Sequence, residues 1–205
     1  RKYRGKEDFA TEVPFLQGAY IGYLNGPAGG AYVAKELYKI TGEERYKQFA
    51  LTVADDAIEA AKDEQGALTW YGFYGILGEG GLILFLLDIY NTFGGDKYLD
   101  AAAKAAKYIA DRKEDAPQGG YRWYVMDFPT IGKAGGYFPG FEYGAAGCGY
   151  ILASVYEQTH QEEYLDIAKK AAQYIQNIAD YSEDGEAALV KYNDTYLTDL
   201  YYLGV

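Results

Sequence analysis

The stretch that decides the fold runs from Gly78 to Tyr98 and reads GEGGLILFLLDIYNTFGGDKY. Large apolar residues occupy nearly every side of its first arm, a pattern typical of a helix that is buried all round. Gly94 and Gly95 then favour a helix C-terminus, and an acidic residue suited to a helix N-terminus follows them. The stretch therefore predicts a buried helix, a tight turn and a second helix. The apolar residues of the first arm are Leu82, Ile83, Phe85, Leu86 and Ile89.

The same pattern occurs twice more without a gap, over residues 26–46 and 144–164. Each copy has a GxxG motif, an apolar stretch that ends in Tyr, a short polar turn, and charged residues before a second Tyr. Recurrence at this spacing is the signature of a repeat architecture, in which each unit buries its apolar face against its neighbours.

The second arm of each repeat is amphipathic. Between Tyr98 and Ile109, apolar side chains recur on one face and Lys and Asp lie on the other, which predicts an outer, half-solvated helix. The second repeat places Leu99, Ala102, Ala106 and Ile109 on this stripe, and the third places Leu165, Ala168, Ala172 and Ile175 there.

These patterns predict an all-α fold of repeated helical hairpins, one domain over residues 1–205. We expect inner helices near 27–40, 79–92 and 145–158, and outer helices near 43–62, 96–113 and 161–180. The hairpin repeats then span about 18–65, 70–115 and 136–181, with a tail over 182–205.

Composition excludes several classes of function. Nineteen Lys and Arg against thirty Asp and Glu give a net charge of -11, which repels phosphate backbones, so we expect no nucleic-acid partner. No apolar run approaches the ~18 residues of a membrane span, so we expect no membrane insertion. A single Cys148 and a single His160 allow no intrachain disulfide and no zinc site of Cys and His ligands. We expect Cys148 to be a small buried apolar residue and His160 a solvated turn residue.

The glycines at the start of each inner helix have two interpretations. They allow backbones to approach closely, or they form an anion site at a helix N-terminus. Glu79 and Glu142 lie at two of these starts and would repel an anion, which favours close approach. Loops rich in Gly and aromatic residues lead into the same helix ends, so we expect aromatic side chains to gather at one pole. The candidate binding residues are Tyr23, Trp70, Tyr74, Tyr137, Phe141 and Tyr143.

The second and third repeats resemble those of the lanthionine synthetase C-like (LanC-like) α/α toroid proteins. The resemblance rests on GILGEGGLILFLLDIYNTFGGDKYLDAA and GFEYGAAGCGYILASVYEQTHQEEYLDIA, in which a GxxG-headed inner helix precedes an outer helix that begins near Tyr-Leu. It covers roughly residues 18–180 and implies a partial α/α toroid.

The resemblance does not extend to catalysis. Catalytic members of that family hold zinc through Cys and Cys-His placed just before the GxxG of late repeats. Here the preceding pairs are Leu24-Asn25, Ile76-Leu77 and Glu142-Tyr143, so we expect no metal, no cofactor and no cyclase activity.

Two functional hypotheses follow, and both stay open at this stage. Three hairpins are about half of a closed toroid, so either the chain is part of a longer protein or its bare flanks associate with other chains. The first hypothesis is a non-catalytic subunit that polymerises into a filament or other homopolymer. Twenty-four Tyr suit interfaces, and one Cys and one Met suit an extracellular or cell-surface location, with a cytoplasmic location kept as the alternative. The residues expected to dock onto another copy are Leu197, Leu200, Tyr201, Tyr202 and Leu203.

The second hypothesis is a carbohydrate-active or glycan- or peptide-binding protein, since α/α toroids host glycan chemistry and aromatic rings stack on sugars. A glycosidase needs two carboxylates across a cleft. Glu142, Glu79 and Asp127 are the acidic residues expected near the aromatic pole, whereas Glu12 and Asp194 lie further away.

Overall fold

The computed structural model describes residues 21–24, 26–72, 74–125, 135–185 and the backbone of 188–189. Its described residues form six helices in three hairpins. They are α1 (Pro27–Thr41), α2 (Glu44–Ala60), α3 (Glu79–Phe93), α4 (Asp96–Asp111), α5 (Ala145–Thr159) and α6 (Glu162–Ile178). The predicted inner and outer helices are confirmed, with ends within about two residues of expectation.

In the described parts of the chain, four short antiparallel strand pairs, which the sequence patterns did not predict, connect or follow the helices. Three of them come directly after an outer helix. The strands are β1 (Lys62–Glu64), β2 (Ala67–Thr69), β3 (Glu114–Asp115), β4 (Tyr121–Arg122), β5 (Tyr124–Val125), β6 (Gly136–Tyr137), β7 (Asp180–Tyr181) and β8 (Ala188–Leu189). Each odd-numbered strand pairs with the next strand in the chain.

The described residues divide into two compact units. The first takes residues 21–72 and 76–108, and it contains α1, α2, α3 and most of α4. The second takes residues 74–75 and those from 109 onward, including α5 and α6. The single repeat domain over residues 1–205 stays a prediction.

The first unit is built around α3. All five apolar residues named for this helix are completely buried, as predicted, and α1 and α2 both pack against it. The ammonium of Lys35 in α1 lies 2.6 Å from the Asp88 carboxylate in α3 and 2.6 Å from Glu36. Burial alone would lower the pKa of Lys35, but its hydrogen bonds to both carboxylates outweigh burial and raise it.

The second unit contains the hairpin of α5 and α6. Cys148, Ile151, Leu152 and Val155 give α5 a completely buried face. The predicted stripe of α6 is wrong in its phase, because Ala172 is exposed. The buried face of α6 is formed instead by Tyr164, Ile167, Ala171 and Tyr174.

The residues that follow α1, α3 and α5 in the hairpin turns all have a positive φ. Gly42 and Gly94 follow α1 and α3 with φ of 69° and 75°, and His160 follows α5 with φ of 55°. Each residue donates its backbone N–H to the carbonyl of a Tyr four residues earlier. His160 therefore has a positive φ at a position where the other two hairpins use glycine, and it shares the left-handed conformation of Gly42.

Among the described residues, no helix is both long enough and apolar enough to cross a membrane.

Candidate functional site

The heads of α1, α3 and α5, meaning the loop before each helix and its first turn, are crowded by backbone. A Cβ atom added to Gly29 would lie 2.4 Å from the Tyr23 carbonyl oxygen, and one added to Gly81 would lie 2.4 Å from that of Ile76. A Cβ atom added to the equivalent Gly147 would lie only 2.2 Å from the Phe141 carbonyl oxygen. Close approach is therefore what requires the second glycine of each GxxG motif.

Two of the heads also lie against the preceding repeat. A Cβ at Gly81 would lie 2.9 Å from the Tyr23 Cβ, and a Cβ at Gly147 would lie 3.1 Å from the Gly75 Cα. Tyr23, Gly75 and Phe141 share one position in the repeat, the third residue before the first glycine of GxxG. Successive repeats thus use the same contact between this position and the next GxxG motif.

The Glu79 carboxylate lies in a closed cage of donors at the start of α3. It accepts hydrogen bonds from the Thr69 hydroxyl at 2.6 Å and from the backbone N–H groups of Trp70, Tyr71 and Gly72. Its side chain has no exposed surface. When it is ionised, the carboxylate also faces the positive end of the α3 dipole. Glu79 therefore fixes residues 69–72 against the helix.

Burial raises the pKa of the Glu79 carboxyl, and the hydrogen bonds from Thr69 and the three amides oppose that rise. Of the other acidic residues named from the sequence, Glu142 is exposed on the turn before α5. Asp127 lies outside the described residues. The described residues therefore bring no second carboxylate to Glu79.

The two Trp side chains pack at corresponding places and hold the ends of outer helices. Trp70 Nε1 donates a 2.8 Å hydrogen bond to the Ala57 carbonyl of α2, and Trp123 Nε1 donates one of 2.8 Å to the Ile109 carbonyl of α4. Trp70 is 7% exposed and Tyr74 is 8% exposed. These two candidate binding residues offer little surface to a ligand.

Exposed aromatic pairs occur at the first and third heads. The Tyr23 and Tyr32 rings meet edge to face at 5.9 Å, and the Phe141 and Tyr150 rings meet at 5.3 Å. Tyr32, Phe141 and Tyr150 are all exposed. Sequence reasoning named Tyr23 and Phe141 but missed their helical partners, which stand nine residues later in both repeats.

Tyr137 is held by several partners. Its hydroxyl donates a 2.6 Å hydrogen bond to the Glu114 carboxylate, and the Arg122 guanidinium lies 3.5 Å from its ring centroid. The Tyr124 ring meets it edge to face at 5.4 Å. Another candidate, Tyr143, meets the ring of Phe138 edge to face at 6.2 Å. These contacts fix the aromatic residues of the second unit in place.

Cys148 is completely buried in α5, and burial raises the pKa of its thiol far above the usual range. It is the small buried residue predicted, since a protonated, inaccessible thiol is a poor nucleophile. His160 is exposed in its turn, also as predicted. No group of three His, Cys, Asp or Glu side chains suited to a metal occurs in the described part of the chain.

The five residues expected to dock onto another copy, from Leu197 to Leu203, lie outside the described residues, as does Asp194.

Three GxxG-headed hairpins with crowded helix starts define an all-α repeat protein of the α/α toroid class. The family model of lanthionine synthetase C-like proteins matches residues 16–196. The chain therefore belongs to the lanthionine synthetase C-like family, as the sequence motifs indicated. A comparison with curated proteins finds no match.

Two solved structures share the fold. The Lin0763 protein from Listeria innocua has a TM-score of 0.51 and 20% identity, over 77% of this chain and 47% of that one. A family 76 glycoside hydrolase from a bovine Bacteroides thetaiotaomicron strain has a TM-score of 0.51 and 16% identity, over 79% of this chain and 37% of that one. The chain thus spans less than half the length of either structure.

Proposed function

We propose that the chain is a non-catalytic LanC-like subunit that associates with further copies of itself through one face of α1. This face carries Val33, Leu37 and Ile40, which are 56%, 36% and 80% exposed. Residues spaced by four and three positions lie on one side of a helix, so the three form a continuous apolar stripe. We call these three residues the leading stripe.

The observation that carries the proposal is the burial of two of these positions, those of Val33 and Leu37, in the other repeats. The third, Ile40, corresponds to the half-buried polar residues Thr92 and Gln158. Val33 and Leu37 correspond to Phe85 and Ile89 in α3, and to Ile151 and Val155 in α5. All four counterparts are completely buried. A position that is buried in two repeats and bare in the first needs a neighbouring hairpin to cover it.

The carboxylates favour a non-catalytic role. A general acid or base must come within hydrogen-bond reach of its substrate. Glu79 has no exposed surface and accepts from four donors of its own loop, so it serves the fold.

The test is sedimentation velocity of the chain across the micromolar range, beside the double variant Val33→Lys/Ile40→Lys. Both changes place a good helix former on an exposed helical surface, and Lys at position 40 also suits the C-terminal end of the helix dipole. We expect the unchanged chain to associate and the variant to stay monomeric. Tyr181→Ser, which removes an exposed aromatic residue in β7, is the control and should associate normally. A wild-type chain that remains monomeric at high micromolar concentration refutes the proposal.

We extend the proposal to a homopolymer at the cell surface, because a chain with one Cys and one Met offers little to oxidise. Electron micrographs of the purified chain and fractionation of cells that express it test these two points separately.

Carbohydrate binding is a second candidate, favoured by the exposed rings of Phe141 and Tyr150. Aromatic faces accept the C–H faces of sugar rings, and the family 76 glycoside hydrolase shares the fold. Titration of the chain with a panel of oligosaccharides, followed by calorimetry, tests this candidate. We expect Phe141→Ala to abolish any heat of binding, with Tyr181→Ser again as the control.

A further inference from the structure

We infer that α1 and α3 form a binding site for a neutral saccharide, in which the Tyr32 ring is the apolar surface and the Glu36 and Asp88 carboxylates are the hydrogen-bond acceptors. We call these three residues and Lys35 the α1/α3 cluster. All four lie in the first unit. The inference does not depend on self-association, and its site is distinct from the exposed rings of the second unit.

The first half of the argument is a line of open positions on α3. From Glu79 to Ile89, every residue of this helix is buried except Leu84 and Asp88. These two stand four positions apart, so they lie on the same side of the helix. An inner helix both precedes and follows α3 in the chain, so this opening is not a property of the first or the last hairpin.

The same positions are open in α1. Tyr32 and Glu36 correspond to Leu84 and Asp88. Tyr32 is 39% exposed, and the Glu36 side chain is 37% exposed. Tyr150, the counterpart of Tyr32 in α5, is exposed as well. Exposure along this line is therefore a feature of the repeat, and in the first repeat it presents a ring and a carboxylate.

The Lys35 ammonium brings the cluster together. It lies 2.6 Å from Asp88 Oδ2, 2.6 Å from Glu36 Oε1 and 4.3 Å from the centroid of the Tyr32 ring. The Lys35 side chain itself is only 3% exposed. One buried cation thus fixes two carboxylates and a ring, all three of which reach the surface.

The fold does not require a cation at this position. The counterparts of Lys35 are Leu87 in α3 and Ala153 in α5, both of them apolar. Burying an ammonium costs desolvation that its ion pairs only about repay, and apolar residues often serve stability as well. The geometry that Lys35 imposes on the two carboxylates explains its presence better, because a binding site needs polar groups that are held in place.

The charges and the unused acceptor of the cluster indicate the class of ligand. Lys35 and Lys39, which lies 3.3 Å from Glu36, balance the two carboxylates, so neither an anion nor a cation is favoured. Asp88 Oδ1 accepts no hydrogen bond from the described residues, and its side chain is 31% exposed. A fixed acceptor beside an exposed ring suits a ligand that has both hydroxyl donors and a C–H face. A neutral saccharide has both.

The test is calorimetric titration of the chain with cellotetraose, maltotetraose, mannotetraose and N-acetylchitotetraose, each taken to millimolar concentration. We expect at least one of them to bind. Tyr32→Leu should abolish this binding, and the fold should tolerate it because α3 has Leu84 at the same position. Asp88→Asn should weaken binding about tenfold or more, since a hydrogen bond to a charged acceptor is lost.

Lys35→Leu tests the positioning role, because α3 has Leu87 at this position. We expect the variant to keep the helical circular dichroism and the urea midpoint of the unchanged chain but to bind the saccharide about tenfold more weakly. A merely structural Lys35 would lower the midpoint and leave the affinity of the folded chain unchanged. Phe141→Ala and Tyr181→Ser are the controls and should bind normally.

Three results overturn the inference. None of the four saccharides binds, or binding survives both Tyr32→Leu and Asp88→Asn, or Phe141→Ala abolishes binding that Tyr32→Leu retains. The last result would place the saccharide in the second unit and support the other carbohydrate candidate. Self-association is measured separately by sedimentation, so failure here leaves that proposal standing.

Discussion

Trp123 donates its indole N–H to the Ile109 carbonyl oxygen at 2.8 Å. Trp70 makes the same bond, at the same length, to Ala57 one repeat earlier. Both carbonyls belong to the last turn of an outer helix, where backbone acceptors lack helical partners. A Trp side chain from beyond the following strand pair thus caps α2 and α4, so this contact recurs in the first two repeats.

Replacing Trp123 by Phe should lower the free energy of unfolding by about 1–2 kcal/mol, because the Ile109 carbonyl loses its indole donor and some core volume is lost. Urea unfolding followed by circular dichroism measures the change. Tyr181→Phe is the control, since it removes a hydroxyl that donates to the Gln176 carbonyl at an exposed site. A Trp123→Phe protein as stable as the wild type would show that the indole bond adds nothing.

Alanine substitutions at the adjacent residues Gly29 and Gly30 distinguish the effect of crowding at the start of α1 from the effect of helix propensity. Gly29→Ala should destabilise the chain, because its Cβ would lie 2.4 Å from the Tyr23 carbonyl oxygen. Gly30→Ala should stabilise it by about 0.5–1 kcal/mol, since its Cβ would meet only Phe49 at 3.9 Å and Ala favours helices. Thermal unfolding of both variants gives the comparison. Equal stabilisation by the two substitutions would contradict a crowded helix head.

His160 should be less favourable than glycine at its position. It has φ of 55°, and a side chain in this left-handed region costs about 1–2 kcal/mol. We expect His160→Gly to stabilise the chain by about 0.5–1 kcal/mol, since the loss of its ring contact with Tyr156 and added freedom in the unfolded chain offset part of the gain. Gly42→Ala, where no atom lies within 4 Å of the added Cβ, should destabilise by a similar amount. Chemical denaturation of both proteins checks that the two effects have opposite signs.

The helices could be predicted from sequence because their signals are local. Apolar periodicity, the glycines after α1 and α3, and the recurring Tyr set each helix within about two residues. The buried face of α6 was predicted one residue out of phase, because both Ala171 and Ala172 fit an apolar stripe by spacing alone. Only the packing of Tyr164 and Tyr174 on its buried side decides between them.

The site was harder to predict because its contacts join distant segments. Glu79 was recognised as lying at a helix start, but the hydrogen bonds to its carboxylate depend on residues 69–72 packing against the start of α3. Trp70 looked like a ligand-binding ring, and only the path of the loop brings its indole to Ala57. Alignment of the repeats offered the missing signal, since Trp70 and Trp123 follow Ala57 and Ile109 at nearly the same spacing.

Glu79→Gln should weaken the chain, and the size of the effect should depend on pH. Gln keeps Oε1, to which all four donors of the cage reach. It replaces Oε2, which lies 3.0 Å from the Trp70 nitrogen, by an amide donor that faces another donor, and we expect a cost of about 1–3 kcal/mol. Thr69→Val, which removes one neutral donor and leaves the three amides in place, should cost less.

The pH dependence follows from the direction of the pKa shift. Burial raises the pKa of Glu79 in the folded chain above its ordinary value of 4.5, so the folded state holds this proton more tightly than the unfolded state. The stability that Glu79 contributes is therefore fully present below about pH 4.5 and falls as the pH rises through the folded pKa. The difference in unfolding free energy between wild type and Glu79→Gln should be largest near pH 4 and smaller at pH 7. Urea titrations of both proteins at each pH measure it. A difference that grows with pH would mean that the four hydrogen bonds outweigh burial and lower the pKa.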